Sequence, residues 1–251
     1  AYLSPHLLPR WGLFYAYLKR IREEKERLIK EKKIKKEKPL PPISPEEIPY
    51  ELPKGWEWVR LGEIVYSEGG KTPSKANKEY WDKGDILWVS PKDMKTPYII
   101  DSENKITSIA LQETSIPLVP VGSLLIVVRS GILKRTIPLA IVKKECTINQ
   151  DIKAINSSVL EVNQFLYWYI KAYEKELLIK FAKTGTTVDR IVFEDFLKCI
   201  IPLPPLNVIK KINEKIHLLM KLYDQLNEEI EKSNQNLKLL TESVLKEAFQ
   251  D

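Results

Sequence analysis

The chain has 251 residues, 43% hydrophobic and 29% charged, with a formal net charge of +6. That is room for one large or two modest domains with a proper core, at the balance of an ordinary globular protein. No run nears the roughly 18 apolar residues of a membrane span, Cys146 and Cys199 make no disulfide framework, and His6 and His217 sit near no metal-ligating cluster. No metal, cofactor or membrane association is expected. A reduced, cytoplasmic setting is, and with Ala1 first a native start upstream stays open.

The charge is uneven. Residues 1–60 hold 14 basic and 9 acidic groups, whereas residues 205–251 hold 7 and 8. A mild basic excess suits a polyanion partner without establishing one.

Residues 1–11 carry two prolines and no clear period, so they are expected to be irregular. Residues 12–36 read as a helix rich in Lys, Arg and Glu, with a thin apolar edge of Leu13, Tyr17, Ile21, Leu28 and Ile34. Mixed-sign charge of this kind marks a solvated helix docked by that edge; a phosphate-facing arm is the alternative. Six prolines from Pro39 to Pro53 then forbid helix and sheet, which predicts an extended, semi-rigid linker.

From Gly55 to Pro205 the pattern is mixed. Strand-like runs stand at Ile86–Val89, Leu124–Arg129, Leu139–Lys143, Ile152–Ile155 and Cys199–Leu203. Helical periodicity stands at Ile106–Glu113, Val162–Lys180 and Phe193–Leu197. Short alternating elements of this kind predict one compact α+β domain, a mixed α/β body over residues 50–204. Residues 1–49 precede it as basic helix and proline-rich linker.

Residues 205–251 are of another kind. Ile209, Ile212, Ile216, Leu219, Tyr223, Leu226, Ile230, Leu237, Leu240 and Val244 recur at alternating gaps of three and four, with Ser233 filling one seam position. No Gly or Pro interrupts them, so the segment is predicted to be one coiled-coil-type helix about 65 Å long. Its stripe needs a partner, most simply a second copy.

Motifs of chemistry are missing. There is no G-x-x-x-x-G-K-[ST] loop, no G-x-G-x-x-G fingerprint and no G-x-S-x-G elbow, and Asn149-Gln150-Asp151 is not the Asn/Asp-Pro-Pro-aromatic motif of an amino-methyltransferase. Asp93 with Glu103-Asn104-Lys105 loosely fits the carboxylate spacing of Mg²⁺-dependent nucleases, although Lys92 stands where proline is usual.

The order of the pieces resembles the DNA-specificity (S) subunit of type I restriction-modification systems. The resemblance covers residues 12–249. It is carried by the basic helix and proline linker, by Leu52-Pro53-Lys54-Gly55-Trp56-Glu57-Trp58-Val59-Arg60-Leu61-Gly62, and by Gly69-Gly70-Lys71-Thr72-Pro73-Ser74. Ile86-Leu87-Trp88-Val89, Ile148-Asn149-Gln150-Asp151, Gly185-Thr186-Thr187 and Ile201-Pro202-Leu203-Pro204-Pro205-Leu206 complete the set. Asn207-Val208 departs from the Glu-Gln usual after the last of these, and Val188 from the Gln usual after Gly-Ser-Thr.

The resemblance implies a target recognition domain at 50–204 and a helical conserved region at 205–251. It implies binding to double-stranded DNA, and recruitment of the methyltransferase and restriction subunits by a protein that does no chemistry itself. Full-length members carry two of each region and this chain one. It is therefore either a half-size subunit acting as a homodimer or a fragment of a longer chain. Antiparallel pairing of two such rods would hold two recognition domains apart to read a bipartite, palindromic target.

Base reading needs loops that present Arg, Lys, Asn, Gln, Ser or Thr to groove edges, with cations for the phosphates. Three loops qualify as DNA-binding: Lys71, Thr72, Ser74 and Lys75; Arg129, Ser130, Lys134 and Arg135; and Thr184, Thr186, Thr187 and Arg190. Trp56, Trp58, Trp81, Trp88, Tyr167, Trp168 and Tyr169 are expected to pack. The rivals are a coiled-coil scaffold that binds protein and the Mg²⁺-dependent nuclease.

Overall fold

The computed structural model describes residues 8–31, 34, 39–185 and 188–249, with side chains from Leu18 onward. It divides into two compact units, one ending at Ile209 and one beginning at Lys210. Among the described residues no helix is long and apolar enough to cross a membrane.

Helix α1 (Leu8–Lys30) opens the first unit. The expectation that residues 1–11 are irregular is corrected for Leu8–Trp11, which are helical: Pro9 falls in the first turn, where a missing N–H costs nothing. The helix also stops short of 36. The Ile34 N–H reaches back to the Leu28 carbonyl at 3.4 Å, the six-residue closure that ends many helices, and Ile34 is buried. The edge of α1 docks through buried Leu18 and Ile21, and the Lys25 ammonium donates to the Gly62 and Val65 carbonyls at 2.7 and 2.9 Å.

The proline segment is not a free spacer. It lies as a strap against the body, with one 3₁₀ turn at Pro45–Glu47. Its anchor is Arg60 at the end of strand β1 (Glu57–Arg60), whose guanidinium is 4% exposed and bonded to Pro41, Pro42 and Glu47. β1 runs into the short helix α2 (Leu61–Ile64) and then strand β2 (Tyr66–Gly69).

Two sheets form the core. The chain continues through β3 (Ile86–Val89), β4 (Tyr98–Ile99), β5 (Asn104–Ile106), α3 (Ser108–Thr114), β6 (Leu124–Val127), β7 (Leu139–Val142), β8 (Cys146–Ile148) and β9 (Ile152–Asn156). The larger sheet has the order β2-β9-β6-β7-β4, the smaller β5-β3-β8. Alternate residues decide which face each serves. Leu125, Val127, Ala140, Val142, Ile152 and Ala154 of the larger sheet meet Leu87, Val89, Cys146 and Ile148 of the smaller. Each of the Leu, Val and Ile side chains among them contributes roughly 1.5–3 kcal/mol by leaving water. Trp88 and Ile106 on the outer face of the smaller sheet are covered by Ala110 of α3 and by Ile116.

Helix α4 (Leu160–Ala172) packs on β6, β7 and β9 through Val162, Phe165, Leu166 and Ile170. The long helix expected at 162–180 is two, because the chain breaks at Tyr173 before α5 (Glu174–Phe181). A hairpin of β10 (Ala182–Lys183) and β11 (Arg190–Ile191), the short α6 (Phe193–Phe196) and β12 (Ile200–Leu203) complete the body. β12 pairs antiparallel with β1, Arg60 opposite Ile200, so the chain leaves the body beside its point of entry.

Helix α7 (Leu206–Ala248) follows directly, 43 residues without a break. The first unit ends within it, and the rest of the helix makes up the second. The fold is the mixed α/β body with a long C-terminal helix that the sequence predicts.

Candidate nucleic-acid interface

Strand register decides which loops share an end of the body. β2 ends at Gly69 opposite Lys153, at the start of β9, and β6 ends at Val127 opposite Ile152. β3 and β8 run parallel and end side by side at Val89 and Ile148. The loops that follow β2, β6 and β8 therefore emerge together, and they carry most of the predicted readers.

The first loop, Gly70–Lys75, is held rigidly. Gly70 lies so close to the turn after β8 that an added Cβ would collide with the Ile148 and Asn149 carbonyl oxygens, so no other residue fits. The indole N–H of Trp88 donates to the Lys71 carbonyl at 3.0 Å and that of Trp81 to the Ser74 carbonyl at 3.1 Å. The two rings pack edge to face at 5.2 Å, a packing role as expected. The Lys71 ammonium donates to the Thr114 and Ser115 carbonyls at 3.1 and 3.0 Å, where α3 ends at a left-handed Ser115. Lys71 thus caps a helix rather than projecting freely. Ser74 and Lys75 are exposed.

The Thr72 hydroxyl donates to Oε1 of Gln150, tying this loop to the turn between β8 and β9. In that turn the Asn149 side chain accepts from the Asp151 N–H at 3.1 Å and donates to the Asp151 carboxylate at 3.2 Å. Gln150 is left exposed at the tip with its amide oriented. Sequence reasoning does not name it among the candidate readers. Its only signal is a polar tip in a turn whose neighbours are strands, and the pattern does not reveal β8.

The second loop leaves β6. Its backbone is fixed by the Val128 and Arg129 N–H groups donating to the Asp151 carbonyl, and Ser130 caps a 3₁₀ turn over Gly131–Lys134 by accepting from the Ile132 N–H at 3.4 Å. Arg129, Lys134 and Arg135 are exposed. The Arg129 guanidinium lies 3.9 Å from the Asp151 carboxylate, too far for a hydrogen bond.

The third loop joins the second. Arg190 bridges Arg129 backbone to backbone, the Ser130 N–H donates to the Asp189 carbonyl at 3.0 Å, and Thr184 is exposed nearby in the chain. Thr186 and Thr187 lie outside the described residues.

The nuclease constellation is committed otherwise. One Asp93 carboxylate oxygen accepts from the Ser90 N–H and hydroxyl at 2.8 and 2.9 Å, the other from the Glu103 N–H at 2.8 Å. Lys105 pairs with Asp101 at 3.0 Å. Among the described residues no group of three or more His, Cys, Asp or Glu could hold a metal ion. Burial pushes the Cys146 thiol up to about 12 and raises that of Cys199, which leaves both poor nucleophiles.

On α7, Ile209 is fully buried in the first unit, so the stripe open to a partner starts beyond it. Ile212 and Ile216 are half-buried. Leu219, Tyr223, Leu226, Ile230, Leu237, Leu240 and Val244 are exposed, as is Ser233 among them.

Comparison with known proteins gives these marks a context. Residues 53–238 match the family described as the type I restriction modification DNA specificity domain. The EcoR124I/EcoR124II specificity subunit of Escherichia coli is 39% identical over 158 residues, which are 63% of this chain and 39% of that protein. The MjaIX specificity subunit of Methanocaldococcus jannaschii is 30% identical over 203 residues, 80% of this chain and 45% of that one. The chain thus spans less than half the length of both. The fold is shared with the HsdS subunit from Thermoanaerobacter tengcongensis, at a TM-score of 0.52 and 21% identity, over 88% of this chain and 50% of that one. A solved structure of a type I R-M system matches at 0.61 and 22%, over 97% of this chain and 56% of that one.

Proposed function

Since the chain belongs to the type I restriction-modification DNA-specificity family, we propose that it binds double-stranded DNA through the loop end of its α/β body and reads one half of a bipartite target. Residues 50–204 act as the recognition domain and 205–251 as the helical region that recruits the methyltransferase and restriction subunits. The chain is non-catalytic, works in the cytoplasm and pairs with its own copy through the stripe of α7. Two identical readers imply two identical half-sites.

One observation carries the reading: basic and polar loops remote in sequence meet at one end of the sheets. Arg129, Lys134 and Arg135 stand exposed beside Arg190, with Thr72, Gln150, Ser74 and Lys75 on the adjoining loop and turn. Cations there hold phosphates, and the polar tips face base edges.

The test is salt dependence. Arg129→Ala with Arg135→Ala should weaken duplex binding and lower the slope of log K against log salt by about 2, roughly 0.9 for each phosphate left without its cation. An unchanged slope would take this turn out of the interface. A chain that shows no salt-sensitive binding to mixed-sequence duplexes would instead favour the protein-binding scaffold.

A further inference from the structure

Three cations from separate segments stand in one row. Lys183 on β10 is directly opposite Arg190 on β11, and Arg190 is directly opposite Arg129 across an antiparallel bridge. Residues opposite each other in antiparallel strands point to the same face. Strands lie about 4.8 Å apart, so the row spans about 10 Å across three strands.

The backbone enforces this alignment. The Ile191 N–H donates to the Val128 carbonyl at 2.8 Å and the Ser130 N–H to the Asp189 carbonyl at 3.0 Å, which locks β11 against the loop after β6. Like charges set directly opposite each other destabilise a sheet. The charges are offset only in part: Asp151 stands 3.9 Å from Arg129, and Asp195, engaged by Lys198 at 2.8 Å, also feels Lys183. Among the described residues neither Arg190 nor Lys183 has an ion-pair partner. A rigid line of like charge that disfavours the free protein fits an extended polyanion.

We propose that Lys183, Arg190 and Arg129 form a track for the sugar-phosphate backbone of one DNA strand, setting the position of the recognition domain without reading sequence. This rests on the DNA-binding reading above and adds Lys183 to it. DNA presents one phosphate per about 3.4 Å of axis on each strand, so a row of this length faces two or three.

The experiment measures binding of the full chain to a mixed-sequence duplex across a salt series. Lys183→Gln, Arg190→Gln and Arg129→Gln should each lower the slope by about 0.9, and the triple variant by about 2.7. The thermal midpoint of the triple variant should equal or exceed that of the wild type, because a repulsion is removed. Lys144→Gln, exposed just past the opposite end of β7, should leave the slope unchanged. An unchanged slope for Lys183→Gln overturns the track, as does an equal drop from Lys144→Gln or a lower midpoint in the triple variant. Absence of salt-dependent binding by the wild type would overturn the DNA reading itself, a separate result.

Discussion

Arg60→Met is expected to destabilise the body by about 3–5 kcal/mol and to free the proline strap. All five N–H groups of Arg60 are used: Nε to the Pro41 carbonyl, one terminal nitrogen to Glu47 and the Lys198 carbonyl, the other to Glu47 and the Pro42 carbonyl, all at 2.7–3.1 Å. Met keeps most of the volume and satisfies none of the three carbonyls. The Glu47 side chain is 40% exposed, so the ion pair is the lesser share and the stranded carbonyls the greater. In a protein of this size the thermal midpoint should fall by about 10 °C, and limited proteolysis should cut within residues 39–53. A variant with the wild-type midpoint would mean that Arg60 does not hold the strap. Lys in place of Arg cannot rescue it, having three donors and no planar fork.

The pH dependence of the same contact has a defined sign. Hydrogen bonds from Arg60 and from the Ser44 N–H lower the Glu47 carboxyl from 4.5 to about 2. The folded value lies below the unfolded one, so the stabilisation is complete above the ordinary carboxylate range and fades as pH falls through about 2. The gap between wild type and Arg60→Met should hold steady at neutral pH and narrow on acidification below about 4.5, which thermal melts along a pH series would read directly.

Leu219→Asp with Leu226→Asp should abolish self-association through α7. In the single chain these side chains are 53% and 56% exposed, so replacing them costs the helix only a fraction of a kcal/mol each. In a paired seam each change forfeits about 1.5–3 kcal/mol of burial and sets a carboxylate against apolar neighbours. Together that weakens association at least about a thousandfold. Light scattering of the purified chain measures it, and a variant that still dimerises would sink the proposal that this stripe is the contact. A variant that loses dimerisation with unaltered helicity and duplex binding would separate the work of the rod from that of the body.

The long helix and the inner strands were legible because their patterns are local. The spacing from Leu219 to Val244 repeats with the helical turn, and Leu124–Val127 is a short, partly β-branched apolar run bounded by turn residues, as a buried strand carries. β1, β2 and β8 were not legible. β1 is four residues ending in an arginine, and it is a strand because Ile200–Leu203, far along the chain, lies beside it. Lys71 has the composition of a reader, yet its ammonium closes α3, since Thr114 and Ser115 come within 3.1 Å only after folding.

By itself, then, the sequence determined the α/β body, the uninterrupted rod with its stripe and the family to which they belong, because periodicity and ordered short motifs survive as strings. Tertiary structure alone decided that the proline segment is a strap around Arg60, that Ile209 belongs to the body, and that Arg129, Arg190 and Lys183 align. Those are matters of strand register and of where carbonyls fall in space, and both arise between residues that no local pattern connects.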